Sequence, residues 1–123
     1  MNLATREDLE QIRKEALEIH MDEEIEVYII ELVAATRDPK AYGLEELEAF
    51  IEYGASPRAS IDMYKAARAI AYLKGKDYVS PMEIAYIAKE ILRHRIILSY
   101  EAQAEDITQD YIIEKILAAV PIP

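Results

Sequence analysis

The stretch Gly54-Ala55-Ser56-Pro57-Arg58-Ala59-Ser60 decides how this chain folds, because it marks the start of its central helix. Ser56 suits the N-cap, and Pro57 suits the first helical position, where a missing N–H costs nothing. Gly54 supplies the free backbone torsions that end the preceding segment. Arg58 then falls in the first turn, where the helix dipole disfavours a cation by about 0.3–1 kcal/mol. An anionic phosphate would favour the same position, whereas an arginine turned to solvent is the simpler interpretation.

Toward the C-terminus, hydrophobic spacing predicts three further features. The central helix is expected over residues 57–74, with Gly75 as its C-terminal glycine. Ser80-Pro81-Met82-Glu83 has the pattern of a capping box and opens another helix, and Thr108 caps the last one. The β-branched run Ile96-Ile97-Leu98 is expected to be extended and to pair briefly with Tyr78-Val79. The expected buried stripe of the central helix is Ala59, Met63, Ala66, Ile70 and Leu73.

Toward the N-terminus, two amphipathic helices and a connector are predicted. Thr5-Arg6-Glu7-Asp8 resembles a capping box, and the helix behind it is expected to end near His20. Asp22 caps a second helix, which Arg37-Asp38-Pro39 ends because proline pushes its predecessor out of the α region. A short helix is expected over 44–52. The inward positions are Leu9, Ile12, Ala16 and Ile19 in the first helix, and Ile25, Tyr28, Ile29, Leu32, Val33 and Thr36 in the second.

Length and charge limit the fold classes and the kinds of partner that are expected for this chain. A chain of 123 residues suits one domain, and the prediction is an all-α bundle of five or six helices with one very short two-stranded pairing. Residues 1–53 hold 15 acidic and 5 basic side chains, whereas residues 54–123 hold 9 of each. The acidic half repels nucleic acid, and its charge indicates either solvated helices or a surface for a basic partner. No apolar run is long enough for a membrane span, and the absence of cysteine suits a cytoplasmic protein.

Four motifs follow one another along the chain, and together they carry a family resemblance. They are Gly54–Ser60, Ala66-Ala67-Arg68-Ala69, Gly75-Lys76-Asp77-Tyr78-Val79-Ser80-Pro81 and Leu92-Arg93-His94-Arg95. In this order they resemble the C-terminal lid domain of MoxR-type AAA+ ATPases. The similarity runs from about Thr5 to the closing Val120-Pro121-Ile122-Pro123, so a single lid domain over 1–123 is expected.

The resemblance implies a role for named residues. Arg58 corresponds to the sensor-2 arginine, which approaches the γ-phosphate of ATP in that family and acts in cis or in trans. Ser56 and Pro57 beside it, and Arg68 of the second motif, are the other candidates for nucleotide contact. The implied parent protein binds ATP with Mg²⁺, forms a ring and remodels partners, often proteins with a von Willebrand A-type domain. The implied partners of the lid are its own ATPase core and neighbouring ring subunits.

The chain itself lacks the parts that hydrolyse ATP. A P-loop needs a glycine-rich turn that ends in Gly-Lys-Ser/Thr, and only Gly75 precedes a lysine, with Asp77 in place of the hydroxyl. We therefore expect no ATPase activity and no bound cofactor for these 123 residues alone. His20 and His94 stand far apart without a second-ligand spacing, so no metal site is expected, and no serine has a recognisable base.

Two groups of cations remain open to more than one interpretation. Arg58, Lys65 and Arg68 share a helical face, on which Asp62 can pair with either of the latter two. Arg93-His94-Arg95 lies where a helix ends and the dipole favours cations, so it is either structural or an interface with the core or a neighbouring subunit.

A different class of function is the alternative: a free-standing acidic helical module that binds a basic protein and has no nucleotide role. The beginning at Asn2-Leu3-Ala4-Thr5 is typical of a domain border, which favours an ATPase core upstream. A P-loop within about 200 residues before this chain would decide between the two functions.

Overall fold

The computed structural model describes residues 6–123, apart from the side chains of Ile12 and Leu17. The predicted all-α bundle with one short strand pairing is confirmed for this described part. Its helices are α1 (Arg6–Leu17), α2 (Glu23–Arg37), α3 (Arg58–Leu73), α4 (Pro81–Leu92), α5 (Tyr100–Ala104) and α6 (Gln109–Ala119), and its strands are β1 (Ile51–Tyr53) and β2 (Ile97–Leu98). The predicted capping box at Thr5 lies outside the described residues.

Helix α2 follows the prediction and forms one wall of the core. All six of its predicted inward side chains are buried, and it ends at Arg37, two residues before Pro39. Helix α1 is shorter than predicted, and Leu9 on its expected inner face is 53% exposed. The chain leaves the helix after Leu17 because His20 enters a backbone pairing, in which its amide donates to the Asp77 carbonyl at 3.0 Å.

The predicted strand partners were wrong. β2 pairs antiparallel with β1, where Ile51 faces Leu98 and Tyr53 faces Ile97, instead of pairing with Tyr78-Val79. Tyr78 forms an isolated parallel bridge with His20. The short helix predicted over 44–52 was also wrong, because residues 48–50 form a turn and the last two residues belong to β1. What remains of the connector is two 3₁₀ turns, Pro39–Tyr42 and Glu45–Leu47.

Helix α3 is central, as predicted, and packs on α1, α2 and α4. Its inward row differs from the prediction: Leu73 is 76% exposed, and Ala66 and Ile70 are only partly buried. A row spaced by four residues is the ridge that packs most often between helices, which explains the difference. Gly75 has a φ of 75°, which confirms it as the C-terminal glycine. The fully buried row of α3 is Ala59, Met63, Ala67 and Ala71.

The C-terminal third adds one helix that the sequence pattern missed. Helix α5 follows β2 directly, and the Ser99 hydroxyl caps it by accepting the Ala102 amide at 3.2 Å. The predicted cap of α6 is confirmed, since the Thr108 hydroxyl accepts the Tyr111 amide at 3.1 Å. Helices α4 and α6 close the core against α2. Within residues 6–123, none of the helices has both the length and the apolar character needed to cross a membrane.

Candidate functional site

The segment before α3 lies directly against the last turn of α2. Gly54 is the contact: a Cβ at this position would overlap the carbonyl oxygen of Thr36 and lie 2.6 Å from its carbonyl carbon. A glycine is therefore required for close approach of two backbones. The prediction that Gly54 supplies special torsions was wrong, because its φ lies outside the left-handed region.

Thr36 holds the same segment by a second contact. Its Oγ1 accepts the Ala55 amide at 2.9 Å and donates to the Val33 carbonyl at 2.7 Å. Thr36 and Ala55 are each 1% exposed, so this pair of hydrogen bonds is shielded from water. The chain enters α3 from a fixed, buried anchor.

The first turn of α3 is closed by backbone groups alone. Pro57 already has helical torsions, with φ −55° and ψ −23°. The Ser56 carbonyl accepts the Ala59 amide at 2.9 Å and the Pro57 carbonyl accepts the Ser60 amide at 3.0 Å, so the helix begins with 3₁₀-type bonds. Within the described residues the Ser56 hydroxyl makes no hydrogen bond, so the side-chain capping expected of it is not seen. Ser56, Pro57 and Arg58 are all exposed.

Arg58 stands at this helix start without a partner in residues 6–123: neither its guanidinium nor its backbone amide has a hydrogen bond or an ion pair there. A guanidinium offers five N–H donors in a planar fork, and the free backbone amide of Arg58 adds one more donor at the helix start. This arrangement can bind an anion with planar or tetrahedral oxygens, such as a phosphate. It offers only donors, and no side chain of the described part that could act as a base on a nucleophile is hydrogen-bonded to Arg58.

The two other cations of α3 do not join Arg58. Arg68 is half-buried, and its Nε donates to the Ile19 carbonyl at 3.2 Å, which ties α3 to the corner after α1. Ten residues of helix separate Arg58 from Arg68, about 15 Å along the axis. Lys65 is exposed. Asp62 pairs with Arg95, which corrects the expected pairing with Lys65 or Arg68.

Two members of Arg93-His94-Arg95 are engaged inside the chain. Arg93 Nε donates to Asp110 Oδ1 at 2.7 Å, and its Nη2 donates to Oδ2 at 3.3 Å. These bonds lower the pKa of the Asp110 carboxyl and tie α4 to α6. Arg95 ties the chain after α4 to Asp62 of α3. His94 is exposed, and its imidazole has no hydrogen bond or ion pair in the described part, which leaves the ring available to another molecule.

Sequence reasoning missed an ionic cluster at the start of α4, in which the partly buried Lys76 and Ser80 surround the buried Glu83. Glu83 is fully buried; Lys76 Nζ donates to its Oε1 at 2.6 Å, and the Ser80 hydroxyl donates to its Oε2 at 2.5 Å. Lys76 Nζ also donates to Ser80 Oγ at 3.1 Å. Burial raises the pKa of the Glu83 carboxyl, but the hydrogen bonds from Lys76 and Ser80 outweigh it, so the pKa lies below its usual value. The spacing Lys-x₃-Ser-x₂-Glu was the available signal.

Metal ligands do not gather in the part of the chain that the structure describes. No group of three histidine or acidic side chains lies close enough there to hold a metal ion. His20 instead pairs with Asp22 at 2.5 Å, next to the start of α2.

The comparisons with known proteins agree with this architecture. The AAA lid domain family matches residues 46–116. A crystal structure described as a "putative ATPase" of Cytophaga hutchinsonii is 49% identical, has a TM-score of 0.92 and covers 95% of this chain. Chaperone MoxR1 of Mycobacterium tuberculosis is 38% identical over 78% of the chain, and protein MoxR of Paracoccus denitrificans is 31% identical over 85%.

The match covers only part of each relative. This chain spans 36% of the Cytophaga protein, 26% of the mycobacterial chaperone and 32% of the Paracoccus protein. The family match includes all of α3 and α4 and covers the four motifs of the sequence. The chain belongs to the AAA lid domain family, as a lid of the MoxR type.

Proposed function

We propose that this chain is the nucleotide-sensing lid of a MoxR-type AAA+ ATPase, and that Arg58 is its sensor-2 arginine. One observation carries the proposal: Arg58 is exposed at the start of α3, beside a free amide and without a partner in residues 6–123. A cation at that end of a helix is unfavourable unless an anion arrives from outside. The names of the relatives, an ATPase and chaperones, give that anion a natural identity as a phosphate of ATP.

The residues at the start of α3 fit one side of a nucleotide and no more. Bound ATP with Mg²⁺ would supply the transferring phosphoryl group, and a guanidinium stabilises the negative charge that develops on it. Arg58 would make this contact with its guanidinium and its own backbone amide, because the Ala59 and Ser60 amides are already bonded within the turn. Exposed Ser56 and Pro57 would border the phosphate. Arg68, tied to Ile19, would act by holding the helix, and we do not place it on the same phosphate.

The rest of the proposal concerns partners. A single lid domain over 1–123 would dock on its own ATPase core and on neighbouring subunits of a cytoplasmic ring, so that Arg58 serves one of these active sites. Of Arg93-His94-Arg95, exposed His94 is the best candidate for such a contact, because both arginines already have carboxylate partners. Hydrolysis would then drive chaperone-like remodelling of other proteins, including those with a von Willebrand A-type domain. These family names favour the lid over a free-standing acidic module.

The test is the ATP hydrolysis rate of the full-length protein that carries this lid. Arg58→Ala should lower the rate, and Arg58→Lys should restore it only in part, because a point charge cannot reproduce a bidentate fork. Lys65→Ala, which removes an exposed cation from the same helix, is the matched control and should leave the rate unchanged. Equal rates for Arg58→Ala and Lys65→Ala would refute the sensor-2 role.

A further inference from the structure

We propose that Thr36 is a positioning residue for Arg58, so that the last turn of α2 sets where the arginine stands. The inference rests on the proposed function of Arg58. Thr36, Gly54 and Ala55 form what we call the Thr36 latch. It joins two segments that lie 19 residues apart in sequence, from Thr36 to Ala55.

The latch fixes both the distance and the direction of the segment that enters α3. Distance is set by Gly54, because any side chain there would overlap the Thr36 carbonyl. Direction is set by the Ala55 amide, which points at Thr36 Oγ1 from 2.9 Å. Thr36 Oγ1 is itself oriented by its bond to the Val33 carbonyl at 2.7 Å, so all three groups are held in one arrangement.

Little freedom remains between the latch and Arg58. Only Ser56 and Pro57 intervene, and the proline ring fixes one of the four backbone torsions. On the other side of Arg58, Ala59 is fully buried in the face of α3 that packs against its neighbours. The backbone of Arg58 is therefore held between two buried residues, Ala55 and Ala59, while its side chain extends into solvent.

This arrangement has a consequence for catalysis. Effects of catalytic groups depend steeply on position, and a displacement of about 1 Å can cost up to about a hundredfold in rate. A hydroxyl that never approaches the nucleotide would thus control hydrolysis through the arginine. Because Thr36 belongs to the 15-residue helix α2, a shift of that helix would be transmitted to Arg58.

The experiment is a double-mutant cycle on the ATP hydrolysis rate of the full-length protein, expressed per folded molecule. Thr36→Val keeps the volume and removes the hydroxyl, which leaves the Ala55 amide unpaired. We expect it to lower the rate about threefold to tenfold, and Thr36→Ser, which keeps the hydroxyl, to retain most of it. In the Arg58→Ala background the same Thr36→Val change should lower the rate no further, because groups that act as a unit are not additive.

A matched control separates positioning from general loosening of the fold. Thr108→Val makes the same chemical change at the cap of α6, where the hydroxyl also accepts one amide. We expect it to leave the rate per folded molecule unchanged. The latch is overturned if Thr36→Val leaves the rate unchanged, or if it lowers the rate equally with and without Arg58. If Arg58→Ala itself has no effect, the proposed function fails instead of the latch.

Discussion

Helices α3 and α4 both begin with Ser-Pro, yet the two starts are built in opposite ways. At α4 the chain places Glu83 three residues after Ser80 and buries it completely, with Lys76 as its partner. At α3 the corresponding turn carries no acid: Ala59 occupies the position equivalent to Glu83, and exposed Arg58 directly precedes it. The start of α4, which we call the closed start, is satisfied within the chain. The start of α3, which we call the open start, presents its hydrogen-bond donors to other molecules.

The difference teaches how a helix start is assigned to stability or to binding. The positive end of a helix dipole attracts an anion, and a chain that supplies its own anion has no need of a ligand there. Glu83 supplies one for α4 and also receives the Ser80 hydroxyl. A chain that instead places a free guanidinium at such an end gives up stability locally, which is typical of functional sites.

The largest expected effect is at the closed start. Glu83→Gln removes a buried carboxylate from Lys76, and breaking a buried pair on one side should lower the free energy of unfolding by about 3 kcal/mol. Urea unfolding of the 123-residue chain measures this loss of stability. Glu90→Gln, on the exposed side of the same helix, is the control and should change stability by less than about 0.5 kcal/mol. A small loss at Glu83 would mean that the α4 start is not closed by this cluster.

The packing behind the open start comes next. Ala67 is fully buried in α3, whereas Ala66 next to it lines the groove toward α4 and is only partly buried. Ala67→Leu should lower the free energy of unfolding by about 1–3 kcal/mol through overpacking. Ala66→Leu should cost clearly less, because its side chain can extend along the groove. The reverse order in thermal melting would contradict the row of Ala59, Met63, Ala67 and Ala71.

Acid should weaken the closed start and spare the open one. The pKa of Glu83 is lowered in the folded state, so the unfolded chain takes up the proton first as pH falls. The stability that Glu83 contributes is complete above its unfolded pKa and is lost as pH falls through its folded pKa. Urea unfolding from pH 7 to pH 3 should show this loss, and Glu83→Gln should remove that part of it. Parallel curves for the two proteins would be inconsistent with an ionised Glu83.

The smallest effect is a conversion of the open start into a closed one. Arg58→Glu places a negative charge in the first turn of α3 and should raise the free energy of unfolding by about 0.3–1 kcal/mol. Lys65→Glu, in the middle of the same helix and away from the dipole end, serves as the control for a change of net charge. If both variants shift the melting temperature equally, the dipole does not distinguish the start of α3.

Local signals were enough to predict most helices. Pro81 at the start of α4 and the capping hydroxyl of Thr108 act within a few residues, and Gly75 ends α3 by its own conformation. These features depend on nearby backbone groups, so a single sequence contains them. The same holds for Arg58, whose position in the first turn follows from the residues directly before it. The capping box predicted at Ser80 was wrong, because the Ser80 hydroxyl donates to the Glu83 carboxylate and caps no backbone amide.

Long-range contacts could not be predicted in this way. β2 pairs with β1 across more than 40 residues, and nothing in Ile97-Leu98 specifies that partner over Tyr78-Val79. Gly54 is needed because Thr36 lies against it, a fact of tertiary packing that local torsion preferences do not contain. The burial of Glu83 likewise depends on the segment between α3 and α4, which brings the Lys76 ammonium to the Glu83 carboxylate.

The measurement that tests the account most directly combines thermal melting with the steady-state ATPase rate of the full-length protein, for wild type and Arg58→Ala. The account predicts that the melting temperature stays the same or rises slightly, because the substitution removes an unfavourable charge from the helix start. The ATPase rate per folded molecule should fall. A lower melting temperature with an unchanged rate per folded molecule would contradict it, because Arg58 would then be a residue of the fold and not of the site.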